Sequence, residues 1–497
     1  MTSIDPSRHG DAPALALAPE RFRRLGYRAV DLATAHLAGI RDQPVFTPMT
    51  AAERQELLAM PLPAAAMEPE TILDAVEALV LPHPMGNGHP RFFGWVNSPP
   101  APIGVLVELL AAAMNPSVAG GDHAAVYVER AAVRWLAELV GFLAAESMGL
   151  LVSGGSMASL TALATARHRV AKQDGWDGRT EGLQGARATL TMYVSAEGHI
   201  TLRKAAELLG LGGSAVRTIP VDDAFRMDAG ALRAAIATDR AAGKRPFCVV
   251  ASAGTVSTGA IDPLAAIADI AASEDLWFHI DGAYGAFGVL DPAIAQNFAG
   301  MERSDSLALD PHKWLSVPVE CGCVLIRDGG VLRDAFSLVP PYLRTEEGRG
   351  IGGLPWYSEY GFQQTRGFRA LKLWATLLTF GREGVVAHVA RHNRLAQTLA
   401  GVVEAEPHFE LLAPATLSIV CFRYVPATWH GDDERLNMLN KAIMEVVQAS
   451  GEALLTQAVL HGRFALRANI QHYGTTDEDL EALVAVIRRT GDRLAAQ

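Results

Sequence analysis

The chain has 497 residues, 49% of them hydrophobic and 20% charged, with a formal net charge of -11 at pH 7. Its length allows about three domains, or a large and a small domain with an arm, and its composition is that of a folded globular protein. The acidic balance and the lack of any Lys/Arg run argue against nucleic-acid binding and leave small molecules as the expected ligands.

Residues Met1 to Pro19 lack a basic start followed by an apolar core, so no secretory signal is expected, and they read as a loose tail. From Glu20 to Ile40, Phe22, Leu25, Val30, Leu32, Ala35 and Leu37 recur at near-helical intervals, and Asp42-Gln43-Pro44 ends the pattern. A second helix is predicted around Glu70 to Val80. Helices ahead of the first globular signal suit an arm that packs on a partner subunit. The loop His83 to Pro102 carries Phe92-Phe93-Gly94-Trp95 and is too apolar to lie free, so it is expected to be buried. The apolar stretch Ala101 to Met114 is interrupted by Glu108 and is too short to span a bilayer. The cysteines, Cys248, Cys321, Cys323 and Cys421, lack metal or disulfide spacing and read as reduced thiols, which points to a soluble cytoplasmic protein.

From about Ala101 to Gly381, helical stretches alternate with short apolar runs at Leu150 to Val152, Thr189 to Val194, Phe247 to Ala251, Trp277 to Ile280, Ser306 to Leu309 and Cys323 to Ile326. Strands buried on both faces read this way, and helices between them indicate an α/β fold with a mainly parallel sheet. A helix is expected around Phe368 to Thr379, followed by helix, strand and helix signals that end in Asp477 to Arg489. The expected division is an arm and loop over 1–100, a large α/β domain over 101–382 and a smaller α+β domain over 383–497.

Ligands of such sheets bind beyond the carboxyl ends of the strands, and three motifs fall there. Lys313, in Asp310-Pro311-His312-Lys313-Trp314-Leu315, is followed by an apolar run that ends at Val319. A lone Lys is ordinarily a solvated surface residue, but these flanks suggest a desolvated amine able to form an imine. Asp281, after Trp277-Phe278-His279-Ile280, suits a cation such as a protonated pyridine nitrogen, and equally a helix N-cap. Ser153-Gly154-Gly155-Ser156 opens a helix and could bind phosphate on free N–H groups, though alone it reads more readily as a plain strand-to-helix turn.

In combination, order and separation, these motifs resemble fold-type I pyridoxal-phosphate enzymes. Within that class the chain is similar to the group II amino-acid decarboxylases, nearest to aromatic-L-amino-acid decarboxylase. The resemblance runs from about Phe22 to Arg489, with Asp310-Pro311-His312-Lys313-Trp314 its most specific part. It implies pyridoxal 5'-phosphate held as a Schiff base by Lys313, with Asp281 on the pyridinium nitrogen and His199 stacked on the ring near the scissile carboxylate. Gly155 and Ser156 match the phosphate pair, and Thr255 and Ala283 lie beside the ring. Asp310, where the family often has Asn, and His312 complete the cofactor set. Tyr342, in the Leu338 to Arg344 stretch that resembles a mobile catalytic loop, matches the proton donor. Phe92, Phe93, Trp95 and Ser98 would form the substrate pocket, with partner-subunit residues near Asn115 and Ser117 in a homodimer.

The implied reaction is decarboxylation of an L-amino acid, an aromatic one first, through a quinonoid intermediate and without a metal. Departures from the family pattern are Trp95 for a common Tyr, Ser117 for a bulky aromatic, Met157 for a frequent Glu and Asp122-His123 for a frequent Ser-Pro. Rival readings are a glutamate or aspartate decarboxylase, in which case Arg91 would matter, an aldehyde synthase or lyase on the same scaffold, and a non-catalytic module that keeps the fold.

Overall fold

A computed structural model describes residues 15–339, 353–427, 429 and 431–497. Three helices lead the chain: α1 (Pro19–Gly39), α2 (Ala51–Ala59) and α3 (Pro69–Leu79). Pro occupies the first turn of α1 and of α3, where its missing N–H costs nothing, and Thr50 and Glu53 form a capping box on α2. Arg21 and Arg28 tie α1 to α3 through Glu70 (Nε to Oε1, 3.2 Å) and Glu77 (Nη2 to Oε2, 3.1 Å). No residue of these three helices is fully buried.

The strand β1 (Phe92–Phe93) leads into helices α4 (Pro102–Met114) and α5 (Ala124–Val140). There follow β2 (Met148–Val152), α6 (Gly155–Gln173), β3 (Leu190–Ser195), α7 (Thr201–Leu208), β4 (Val216–Ile219), α8 (Ala229–Ala241) and β5 (Arg245–Ser252). Next come α9 (Leu264–Ser273), β6 (Trp277–Asp281), β7 (Ser306–Leu309), β8 (Gly322–Ile326) and α10 (Gly329–Phe336). The strands β2 to β8 form one sheet in the order β2-β8-β7-β6-β5-β3-β4, parallel from β7 to β4 and antiparallel at β8 and β2. The mainly parallel α/β sheet expected from the buried apolar runs is therefore present. The additional strand, β4, is half-buried and Val-Arg-Thr-Ile in sequence, so it lacks the continuous apolar run that marks its neighbours.

The helix expected to end near Thr379 continues as α11 (Ala370–Ala405), bending at Gly381, whose φ of 62° suits a residue without a Cβ. After it come β9 (Phe409–Leu411), β10 (Ile419–Tyr424), α12 (Asp433–Ser450), β11 (Leu454–Leu460), β12 (Arg463–Asn469) and α13 (Asp477–Ala495). Strands β9 to β12 form a second, antiparallel sheet. β1 joins its edge in parallel, with Phe92 opposite Leu454 and Phe93 opposite Leu455. Phe92 and Phe93 of the aromatic loop are thus buried as expected, covered by this second sheet, with Phe93 fully buried in a core with Leu395, Val420 and Leu466, whereas Trp95 is 52% exposed.

Buried histidines of α11 hold Trp314, in the segment that follows β7. His392 accepts the Trp314 indole N–H at 3.1 Å, and His388 lies 3.0 Å from the Trp314 carbonyl oxygen. Burial holds His279, His388 and His472 down at about 4, whereas in the unfolded chain each titrates near 6.5. Unfolding below pH 6.5 therefore takes up protons, so this contribution to stability is complete above that pH and lost as pH falls toward 4. Buried Asp262, raised to about 6, works in the opposite sense below pH 6 and offsets one of them. The expected result is a fall in unfolding free energy from pH 7 to pH 5 with a slope of about 1.4 kcal/mol per pH unit for each net proton. Urea unfolding at a series of pH values measures it, and a midpoint unchanged from pH 7 to pH 5 contradicts it.

Candidate active site

Beyond the carboxyl ends of β3, β5, β6 and β7 lies a cavity of about 380 Å³. Strand register builds its floor: Ser252 ends β5 opposite Asp281, and Asp281 lies opposite Ala308 of β7, two residues before Asp310. The buried Asp262 carboxylate fixes the end of β5 by accepting the Ser252 and Met227 N–H groups, each at 2.7 Å.

On one wall, α6 starts at Gly155. Its regular bonding begins only with the Ala158 N–H on Gly154 O (3.0 Å), so the N–H groups of Gly155, Ser156 and Met157 precede the ladder. Gly155 has no room for a side chain, because a Cβ there would lie 2.7 Å from Ala283 Cβ and 3.1 Å from Asp310 Oδ2. The strand behind this turn is anchored by a fully buried ion pair: Arg366 bonds the Glu129 carboxylate and the Leu151 carbonyl oxygen (2.7 Å), and Glu129 accepts the Leu151 N–H (3.0 Å).

His199, an exposed residue, lines the same cavity as Asp281. Its Nδ1 accepts the Thr201 N–H at 3.3 Å, which leaves the ring proton on Nε2. Partial burial pushes this imidazole below its ordinary value, against the pull of Asp281 and together with the push of Lys313. His312 is lowered in the same way by burial, and its Nδ1 lies 2.9 Å from the Cys321 carbonyl oxygen.

Lys313 differs from expectation. Its apolar flank is gripped as predicted, with Trp314 and Val317 buried and Trp314 stacked on Tyr284 at 5.3 Å. The amine itself is not enclosed in apolar surroundings: the side chain keeps 24% exposure, and Nζ lies 2.9 Å from Asp310 Oδ2. The apolar run anchors the backbone, so its burial says nothing about where the long side chain points.

Gly155, Ser156, His199, Thr255, Asp281, Ala283, Asp310, His312, Lys313 and Trp95 all line this one cavity. Ser98 is buried behind it, donating from Oγ to the His312 carbonyl oxygen at 3.2 Å. Phe92 and Phe93 are buried in the second sheet and its core and are not wall residues. Asn115 and Ser117 are exposed beyond the end of α4, away from the cavity. Arg91 is engaged by Asp479 (Nε to Oδ1, 3.0 Å). Tyr342 lies outside the described residues.

Glu197, Ser252, Gly254 and Tyr284 also line the cavity. Their positions at strand ends, within a few residues of His199, Thr255 and Asp281, are the signal that could have found them. Arg467, in β12, had no such signal. It is 3% exposed, donates to the Trp95 (2.8 Å) and Val256 (2.8 Å) carbonyl oxygens, and leaves Nη2 without a partner among the described residues.

An amine on the cavity wall, a strand-end carboxylate and a helix N-terminus too tight for any Cβ fit the three reactive parts of pyridoxal phosphate. Lys313 would hold the aldehyde carbon, Asp281 the ring N–H, and the first turn of α6 the phosphate.

Residues 52–425 match the pyridoxal-dependent decarboxylase conserved domain. The chain is 33% identical to the aromatic-L-amino-acid decarboxylase of Bacillus atrophaeus, over 95% of its own length and 96% of the relative's. It is 29% identical to a phenylacetaldehyde synthase of Arabidopsis thaliana, over 91% and 92% of the two chains. The crystal structure of Oryza sativa TDC with PLP and tryptamine superposes with a TM-score of 0.90 at 26% identity, covering 97% of this chain and all of that one.

Removing one partner of the Glu129–Arg366 pair leaves a buried charge alone. Arg366→Met should cost about 3–5 kcal/mol of stability. Denaturant unfolding measures this, and a loss below about 1 kcal/mol would show that the pair does not anchor the strand behind the Gly155 turn.

Proposed function

The chain belongs to the pyridoxal-dependent decarboxylase family, and from that membership we propose that it removes the carboxylate of an aromatic L-amino acid, releasing the amine and carbon dioxide. When bound, pyridoxal phosphate supplies a conjugated ring that accepts the electron pair left as carbon dioxide departs. Lys313 would hold that group covalently, and Asp281 would keep the proton on its ring nitrogen by charge attraction. Neutral His199 would offer an Nε2–H donor to the substrate carboxylate. An uncharged donor orients the leaving group without a full ion pair that its departure would have to break.

The aromatic reading rests on the charge of the walls. Glu197, Asp281 and Asp310 face the cavity, and apart from histidines Lys313 is the sole cation among the described lining residues. A glutamate or aspartate side chain would bring a second carboxylate with no ammonium or guanidinium to meet it, whereas Trp95 offers an aromatic face. Tyr342 is the proposed proton donor to the carbon that loses carbon dioxide. Similarity to phenylacetaldehyde synthase supports a second reading, an aldehyde product, and the presence of Tyr342 favours the amine.

A cytoplasmic homodimer is part of the proposal. Phe22, Tyr27 and Val30 on α1, and Leu106, Leu109, Leu110 and Met114 on α4, are exposed, which is costly for a lone chain. Asn115 and Ser117 adjoin the α4 face, which supports their serving a partner's cavity. No helix among the described residues is long and apolar enough to cross a membrane, and the four cysteines are free and buried, as suits a reducing compartment.

L-tryptophan, L-tyrosine and L-phenylalanine should yield amines identified by mass, with L-glutamate and L-aspartate at background; turnover of the acidic pair alone overturns the substrate reading. Asp281→Ala should lower kcat by about 100-fold or more with KM changed by only a few fold, because the charge acts mainly as the electron pair develops. Tyr342→Phe should shift the product toward aldehyde and peroxide, and an unchanged amine yield removes Tyr342 from the donor role.

A further inference from the structure

Of the carboxylates that line the cavity, Asp310 stands against the first residue of α6, where the cofactor's phosphate would sit. We infer that it is the base that takes the ammonium proton of Lys313 as the cofactor's phosphate arrives, so that cofactor capture is coupled to a proton shift inside the Lys313–Asp310 pair. The inference rests on the reading of this cavity as a pyridoxal-phosphate site.

Three observations carry it. The Asp310 carboxylate is 2% exposed, with Oδ2 2.9 Å from Lys313 Nζ. Its other oxygen, Oδ1, is buried without a hydrogen-bond partner among the described residues. The carboxylate also stands against the first residue of α6, 3.1 Å from where a Gly155 Cβ would lie, so an anion on that helix N-terminus becomes its neighbour. An ionised carboxylate and a phosphate dianion repel at that range, and a buried unpartnered oxygen can do nothing to relieve it.

The groups facing Asp310 leave Lys313 as its counter-charge. His312 Nε2 lies 3.8 Å away, and burial pushes both His312 and His199 toward the neutral form. Burial pushes the Cys321 thiol up to about 12 and raises Cys323 well above its ordinary value, so neither is charged near neutrality. Lys372, on α11, is paired with Glu108 at 3.4 Å.

Transfer of one proton resolves the conflict. An N–H bond of Lys313 breaks, an O–H bond forms on Asp310, and the pair is neutral overall before and after. The freed amine lone pair can then attack the cofactor's aldehyde carbon. As the carbon–nitrogen double bond forms, the carbonyl oxygen leaves as water with the amine's two remaining hydrogens. The protonated Asp310 becomes a donor, and the new O–H on Oδ2, the oxygen nearest both Lys313 and the first residue of α6, can be given to a phosphate oxygen.

The test compares cofactor-free wild type with Asp310→Asn. Each is titrated at pH 7.5 and 8.5 with pyridoxal phosphate and with pyridoxal, followed by absorbance and by calorimetry in two buffers of different ionisation enthalpy. In wild type the proton stays within the pair, whereas in the variant Lys313 must release it to solvent. With pyridoxal phosphate the variant should release about one proton more than wild type, and its affinity relative to wild type should rise about tenfold per pH unit. With pyridoxal, which lacks the phosphate, the two proteins should release equal numbers. Equal proton counts and equal pH slopes with pyridoxal phosphate overturn the proposal. Should the variant fail to fold, wild type decides alone: about one proton fewer released with pyridoxal phosphate than with pyridoxal supports the shift, and equal counts refute it. If wild type binds neither ligand, the cofactor reading itself fails, and the proton shift with it.

Discussion

The parallel register of β5, β6 and β7 is the constraint on which the rest of the site depends. Because Ser252 lies opposite Asp281 and Asp281 opposite Ala308, three strands end in one row. Parallel strands leave their carboxyl ends pointing the same way, so the chemistry of each strand's last residues and following turn converges without long-range guidance. A register slip of one residue would turn the Asp281 side chain to the other face of the sheet and remove the carboxylate from the cavity. The buried anchors of this row, Asp262 on the end of β5 and the Glu129–Arg366 pair behind the Gly155 turn, hold backbone and not ligand.

Charge within the cavity is arranged sparingly. Three carboxylates face one ammonium, and the histidines are held neutral by burial. A site so poor in cations can hold an anionic group only where backbone supplies the positive end, which is the first turn of α6. The same arrangement makes Asp310 conspicuous, since it sits where the helix N-terminus and the ammonium compete for negative charge.

The second sheet contributes through contacts and not through lining residues. Tyr284 lines the cavity while its hydroxyl lies 2.7 Å from Ser418 Oγ at the start of β10, and Arg467 reaches from β12 to the carbonyl oxygens of Trp95 and Val256. Two walls of the cavity are therefore fastened to residues far downstream.

The sequence by itself determined the parallel sheet and most of the floor of the site. Apolar runs bounded by turn residues can be buried only as central strands, and the residues after them must then meet at one edge. Asp281, His199 and Lys313 were legible for that reason, each lying at or just after such a run. Tertiary structure alone decided the remainder. Phe92 and Phe93 have the same apolar character as a wall residue, and only pairing with β11 takes them out of the site. Lys313 was legible as a position but not as an environment, because a four-carbon side chain can carry its amine out of an apolar flank to a carboxylate three residues earlier. Arg467 was invisible for a different reason: a guanidinium buried against carbonyl oxygens from 211 and 372 residues earlier in the chain leaves no local pattern to read.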